Sequence, residues 1–175
     1  MARARTQNVG MKTQALRESR SSVAIDLKRI LVPTDFSPLA IKAVHYATRL
    51  AQQFGAELNL FHVVEPEISP AFDGFMIAPP VISNGDTASY LNRLNRLGNS
   101  VRTAGVSQVR STVRTGLAAF EIVEAAKDLD VDLIVIATHG YTGWKHFAIG
   151  STAERVVRAA PCPVLVVREK EHDFV

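Results

Sequence analysis

The residues best placed for chemistry lie late in the chain. The run Ala137-Thr138-His139-Gly140 is followed, after nine residues, by Gly150-Ser151-Thr152. Glycine has no Cβ, so Gly140 and Gly150 let main-chain amides come close to a ligand. Gly150-Ser151-Thr152 also opens a helical pattern, and the unpaired amides and dipole of a helix N-terminus favour an anion such as phosphate. One such contact contributes about 0.3–2 kcal/mol, so several must converge to hold a polyphosphate. The same residues have a purely structural reading. Ser151 and Glu154 spell a capping box, S-x-x-E, that stabilises a helix with no ligand present, and Gly140 and Gly143 suit turns. Spacing leaves both readings open. The P-loop pattern and G-x-G-x-x-G are both absent.

A second candidate is Asp35, just before Ser37-Pro38. It is placed either for a ligand or for a turn closed by its own carboxylate. Arg114-Thr115-Gly116 ends a strand pattern near the same end of the fold. Gly116 suits a tight turn there, and Arg114 reads as a guard of the crevice or an exposed edge residue. Lys145 and His146 read as solvated, and His45 and His62 as packing or surface residues. No H-E-x-x-H or Cys/His cluster supports a transition metal. No paired carboxylates or activated nucleophile accompany the glycine loop, so efficient catalysis is not expected, while slow hydrolysis stays open.

These residues need elements to position them. Arg29 to Thr34 reads as a first strand, and Ser37 with Pro38 as a helix start, serine satisfying orphan amides and proline fitting the first helical position. Ile41, Val44, Ala47, Ala51 and Phe54 give that helix one apolar face, which Gly55 ends. Leu58 to Val64 is a second strand. Residues Glu65 to Asp86 form a long connection containing Pro66, Pro70, Pro79 and Pro80 around Phe72, Phe75 and Met76, which reads as a lid or partner contact. A helix from Thr87 to about Ala104 carries the stripe Leu91, Leu94, Leu97 and Val101. Val109 to Arg114 alternates, as near a sheet edge. Helix Ala118 to Leu129, strand Val131 to Thr138, helix Ser151 to Ala160 and strand Val164 to Arg168 complete the order. Strict alternation predicts a single α/β domain: a five-stranded parallel sheet with helices on both faces. Ligands in such folds bind beyond the carboxyl ends of the strands, where strand order reverses.

Composition narrows the classes. The chain has 175 residues, 47% apolar and 21% charged, enough for one packed domain. Residues 1–20 carry +4, Arg3, Arg5, Lys12, Arg17 and Arg20 against only Glu18, so the net charge of +3 leaves the rest at −1. The body is close to neutral, which argues against a nucleic-acid face. No apolar run reaches the ~18 residues of a membrane span. The lone Cys162 permits no internal disulfide, fits the cytoplasm and reads as a small buried or half-buried residue, with a reactive thiol as the alternative. Residues 1–26 lack an apolar signal core and are expected to be a poorly ordered extension, with Met11 as an alternative start. The domain is expected over 27–170, with a tail at 171–175.

In order and spacing these motifs closely resemble the universal stress protein family. Arg29-Ile-Leu-Val-Pro-Thr-Asp-Phe-Ser-Pro38 is similar to that family's opening strand and turn. Val131 to Gly143, Gly150 to Val157 and Pro161 to Val167 are similar to its closing half, so the resemblance spans about residues 27 to 169. It implies a Rossmann-like, adenine nucleotide alpha hydrolase-like fold and a nucleotide-responsive stress module that binds ATP. Members of the ATP-binding branch carry G-x-x-G-x9-G-[S/T]. Gly140, Gly150 and Ser151 match, and Ala137 stands at the first glycine.

By resemblance, Pro33 and Asp35 lie beside the adenosine, with Asp35 near the ribose, and the Val63 backbone faces adenine. Gly140, Gly150, Ser151 and Thr152 hold ribose and phosphates, and any Mg²⁺ arrives with the phosphates. A left-handed backbone at Ala137 would cost roughly 1–2 kcal/mol. An extended strand end is expected instead, leaving binding weakened or unchanged. The resemblance also implies a homodimer paired through the last strand, where Val164 to Val167 offers an apolar edge. Ala137 is the one feature that favours the family's non-nucleotide branch, a dimeric interaction protein.

Overall fold

The computed structural model describes residues 25–66, 84–138 and 150–169. Most of the expected N-terminal extension, the aromatics Phe72, Phe75 and Met76, the loop residues His139, Gly140, Gly143, Lys145 and His146, and the tail 171–175 lie outside the described residues.

The elements alternate as expected: β1 (Arg29–Pro33), α1 (Pro38–Phe54), β2 (Glu57–Val64), α2 (Asn84–Thr103), β3 (Val109–Thr115), α3 (Ala118–Asp128), β4 (Leu133–Ala137), α4 (Ser151–Ala159) and β5 (Val164–Val167). The five strands form one sheet in the order β3-β2-β1-β4-β5, and every pair is parallel. The chain steps outward from β1 to β3, then crosses back to β4 and on to β5. Connections of one hand then put the outward helices on one face and the returning helices on the other. The core divides in that way. Ile30, Val32, Leu58, Leu60 and Val135 pack with Ala43, Val44 and Ala47 of α1 and Leu94 and Val101 of α2. Leu31, Phe61, Ile134 and Ile136 pack with Ile122, Ala125 and Ala126 of α3 and Ala153 and Val156 of α4. Both faces of the central strands are covered, so they are apolar almost without a break.

Local chemistry explains the helix ends. Ser37 is the N-cap of α1, its Oγ accepting from Ala40 N–H at 3.2 Å, with Pro38 at the first helical position. Gly55 closes α1 at φ 68, a left-handed cap that suits a residue without Cβ. At the other end of the sheet, Asp132 Oδ2 accepts from the amides of Lys28 and Arg29, both at 2.8 Å, tying the entry of β1 to that of β4.

One part of the periodicity reading is corrected. Leu91 does not belong to the buried stripe of α2: it is 38% exposed, while Leu94 and Val101 are buried. The inward line begins at Tyr90, which packs on the core, and runs through Leu94, Leu97 and Val101. Spacings of four, three and four keep that line on one face, and Leu91 lies one step around the helix. Among the described residues, no helix is long and apolar enough to cross a membrane.

Ser37→Ala removes the α1 cap and leaves a buried amide without its acceptor. The expected loss is about 1 kcal/mol, read as a lower urea midpoint at unchanged m-value.

Candidate functional site

Strand order reverses between β1 and β4, so the crevice expected of this architecture opens above their carboxyl ends. Three pieces of chain border it: the turn after β1, the end of β2, and the junction of β4 with α4.

The turn after β1 is knotted by its own side chains. Thr34 Oγ1 accepts from Phe36 N–H at 3.0 Å, Asp35 Oδ1 from Ser37 N–H at 3.0 Å, and Ser37 Oγ from Ala40 N–H. The turn role foreseen for Asp35 is therefore real. The carboxylate is also half-buried at the strand end, beside the reversal of strand order. Pro33, the last residue of β1, is buried beneath it. Phe36 takes φ 63, a left-handed backbone that costs a residue with a Cβ roughly 1–2 kcal/mol. Its ring is 92% buried and held by contacts: His62 at 4.9 Å and Tyr90 at 6.3 Å between centroids, with the Arg93 guanidinium 4.1 Å from the ring centre. Strain of this kind persists only where neighbours enforce it, and it concentrates at functional sites.

At the end of β2, the pairing with β1 stops at Pro33↔Phe61, whereas the pairing with β3 continues to Val64↔Thr115. Main-chain groups alternate sides along a strand. Glu57 N–H and Phe61 C=O bond toward β1, and Leu58 N–H and Val64 C=O toward β3. Val63 follows Phe61 in this alternation, so its N–H and C=O face the β1 side beyond the end of the ladder. Half-buried Val63 thus presents a donor and an acceptor to the crevice.

The β4–α4 junction corrects one sequence expectation. Ser151 is not the N-cap and the Ser151–Glu154 capping box does not form. Gly150 is the N-cap, and α4 has no side-chain cap. Glu154 bonds Arg158 instead, at 2.9 Å, one turn further on. The physical reason is register: Gly150 N–H donates to Thr138 C=O at 2.7 Å and Gly150 C=O accepts from Glu154 N–H at 3.0 Å. The helix therefore begins at Ser151, as its expected bounds had it, with Ser151 and Thr152 inside its first turn. Their amides, with that of Ala153, have no carbonyl to bond within the helix. Ser151 is exposed and Thr152 half-buried. Ala137 ends β4 in extended conformation, paired with Val167, as expected for a strand end. Its methyl packs into the α1-side core at 9% exposure. Gly140 lies outside the described residues.

Residues that spacing did not bring forward also shape this end of the sheet. His62, expected as packing or surface, is 8% exposed, and its Nδ1 lies 2.8 Å from Thr34 C=O. Burial, reinforced by nearby Arg93, pushes its pKa below the usual histidine range, while the Thr34 bond and Asp35 pull the other way. Tyr90 and Arg93 come from α2, and nothing in their spacing advertised them. Arg114, read as a guard or an edge residue, is tied to α3: Nη2 lies 2.8 Å from Asp128 Oδ2, and Nη1 lies 3.8 Å from Glu121. Gly116 takes φ 152, with Glu121 filling the space a Cβ would need. Cys162 is half-buried, and burial raises its pKa, which keeps it a thiol. His45 is exposed. Among the described residues, no three His, Cys, Asp or Glu gather to hold a metal.

These features define a doubly wound α/β domain whose strand order reverses between β1 and β4. A family model described as the universal stress protein family matches residues 26–168. A universal stress protein of Methanocaldococcus jannaschii is 33% identical over 152 residues, covering 83% of this chain and 85% of the relative. The solved structure of UspA from Lactobacillus plantarum superposes with a TM-score of 0.69 at 30% identity, covering 81% of this chain and 98% of that one. A universal stress protein from Archaeoglobus fulgidus, solved in complex with dAMP, shares the fold: TM-score 0.62 and 19% identity over 82% of this chain and 99% of that one. The chain belongs to the universal stress protein family.

Because burial lowers the pKa of folded His62, the unfolded chain binds the extra proton first as pH drops. Stability is full above about 6.5, the ordinary histidine value, and declines as pH falls below it. Urea titrations at pH 7.5 and 5.5 should show a smaller decline for His62→Gln, which keeps a donor but does not titrate. Equal declines in the two proteins would contradict this.

Proposed function

We propose that this chain binds ATP in the crevice between the β1 turn and the β4–α4 junction, as a nucleotide-responsive stress module. The observation that carries the reading is the uncapped start of α4. Gly150 is hooked back onto Thr138, so the helix opens at the carboxyl end of β4 with a glycine N-cap that offers its first amides no side chain of its own. A helix end of this kind suits phosphate, and it lies on the strand next to the Asp35 turn. Gly150, Ser151 and Thr152 hold the phosphates, together with Gly140 in the family motif. Asp35 meets the ribose above Pro33. The Val63 main chain meets adenine, whose edge presents an acceptor and an amino donor that complement an N–H and a C=O. Mg²⁺ enters bound to the phosphates and shields their charge.

Two further observations support the reading. Ala137 was the feature favouring a vestigial site, yet its backbone is extended and its methyl is in the core. It therefore needs no glycine. The ligand class agrees with the dAMP carried by the Archaeoglobus fulgidus relative. A cytoplasmic setting suits a chain with one cysteine, and β5, an apolar strand at the sheet edge, is the surface through which two copies pair.

Calorimetry with Mg-ATP tests the ligand. Ser151→Glu adds a carboxylate to the first turn of α4, which favours the helix by about 0.3–1 kcal/mol while repelling phosphate. The expected result is an affinity loss of about tenfold or more with no fall in thermal midpoint. No heat from the native chain at millimolar Mg-ATP would remove the nucleotide. Light scattering tests the pairing. A mass of twice 19.1 kDa is expected, falling to one chain in Val166→Lys, and a native monomer at micromolar concentration would refute it.

A further inference from the structure

In a parallel pair, a residue on one strand bonds two residues of its neighbour, so ladder bonds alternate regularly between N–H and C=O. Thr34 N–H donates to Phe61 C=O at 2.8 Å. The next rung would run from Val63 N–H to Thr34 C=O. The ladder stops before it, and Thr34 C=O faces His62 Nδ1 at 2.8 Å instead. A carbonyl only accepts, so Nδ1 carries the hydrogen and Nε2 is bare in the neutral ring.

The imidazole has little freedom to leave. Its centroid is 4.9 Å from that of Phe36 and 4.4 Å from that of Tyr90, and Arg93 closes over Phe36 from α2. The left-handed turn at Phe36 delivers one wall of this slot, and α2 delivers the other. His62 lies with the α1/α2 side of the sheet and Val63 with the α3/α4 side. Two successive residues of β2 therefore do different work at one strand end.

We propose that His62 is a positioning residue: its bond to the Thr34 carbonyl holds that carbonyl turned from the Val63 N–H and so keeps the Val63 main chain out of the ladder and available to the edge of an adenine base. The proposal rests on the nucleotide reading above and adds what makes that site selective for its base. Without a donor at position 62, Thr34 C=O and Val63 N–H become each other's nearest partners, and β1–β2 zips by one rung. Phosphate binding at α4 is left intact, while the donor to the base is consumed. Adenine selectivity then falls further than triphosphate affinity.

The test combines NMR on the isotopically labelled full chain with calorimetry using Mg-ATP and Mg-GTP. In the native protein, no through-hydrogen-bond coupling between Val63 N and the Thr34 carbonyl carbon is expected, and the Val63 amide signal moves on adding Mg-ATP. In His62→Leu, which removes the donor, the coupling appears and the preference for ATP over GTP drops about tenfold. In His62→Gln, which restores a donor, the coupling is lost again and the preference returns. A coupling in the native protein, a Val63 amide indifferent to Mg-ATP, or an unchanged preference in a zipped His62→Leu each overturns the proposal. The native measurements decide it even where His62→Leu does not fold. If the native chain binds neither nucleotide, the nucleotide reading and the base-selecting role fall together, while the coupling still reports whether His62 holds the ladder open.

Discussion

The structure depends first on the adjacency of β1 and β4. These strands are far apart in sequence, and their pairing is where the sheet changes its direction of growth. The outward connections place α1 and α2 on one face, and the returning ones place α3 and α4 on the other. Consecutive chain therefore leaves β1 and β4 toward opposite faces, and a gap opens between the two exits. Asp132, clipping the amides of Lys28 and Arg29, holds the opposite end of this strand pair shut. The place where folds of this class take ligands is thus set by topology, at the point where strand order reverses.

What lines the gap is mostly main chain. Thr34, Asp35 and Ser37 spend side-chain oxygens on amides of their own turn, which sets the turn's shape with few degrees of freedom. Gly150 contributes no side chain, and its two main-chain groups lock the start of α4 to Thr138 and Glu154. Val63 contributes an N–H and a C=O beyond the end of a ladder. An arrangement of this kind tolerates wide variation in side chains, because its shape is set by backbone held in place by packing. Moderate sequence identity among relatives that share the fold is compatible with that construction.

The aromatic group on the α2 side shows how packing can hold a strained turn. The left-handed Phe36 backbone is unfavourable taken alone, and it is compensated by a ring buried among His62, Tyr90 and Arg93. This links α2 to the geometry of the Asp35 turn. Burying His62 as the neutral ring joins the same arrangement to pH through ordinary proton linkage.

Much was legible in the sequence. Ser37-Pro38 and Gly55 marked the bounds of α1, because capping is decided within a few residues. Aliphatic runs marked four of the strands, and alternation marked β3 at the sheet edge, since burial on both faces demands apolar residues and burial on one does not. Local pattern failed where two local solutions compete. Leu91 and Tyr90 both fit a helical stripe, and only the neighbouring Phe36 and His62 select Tyr90. Ser151-x-x-Glu154 also reads as a cap, but the bond from Gly150 to Thr138, across the loop, makes Gly150 the N-cap instead. The sequence by itself determined the element order, the alternation and the positions of glycine, proline and serine at the turns, all of which follow from short-range sterics and hydrogen bonding. Only the tertiary structure decided which strand ends become neighbours, which main-chain groups are left outside the ladders, and that His62 takes the Thr34 carbonyl. Those outcomes depend on contacts between segments that approach each other only when the sheet is assembled.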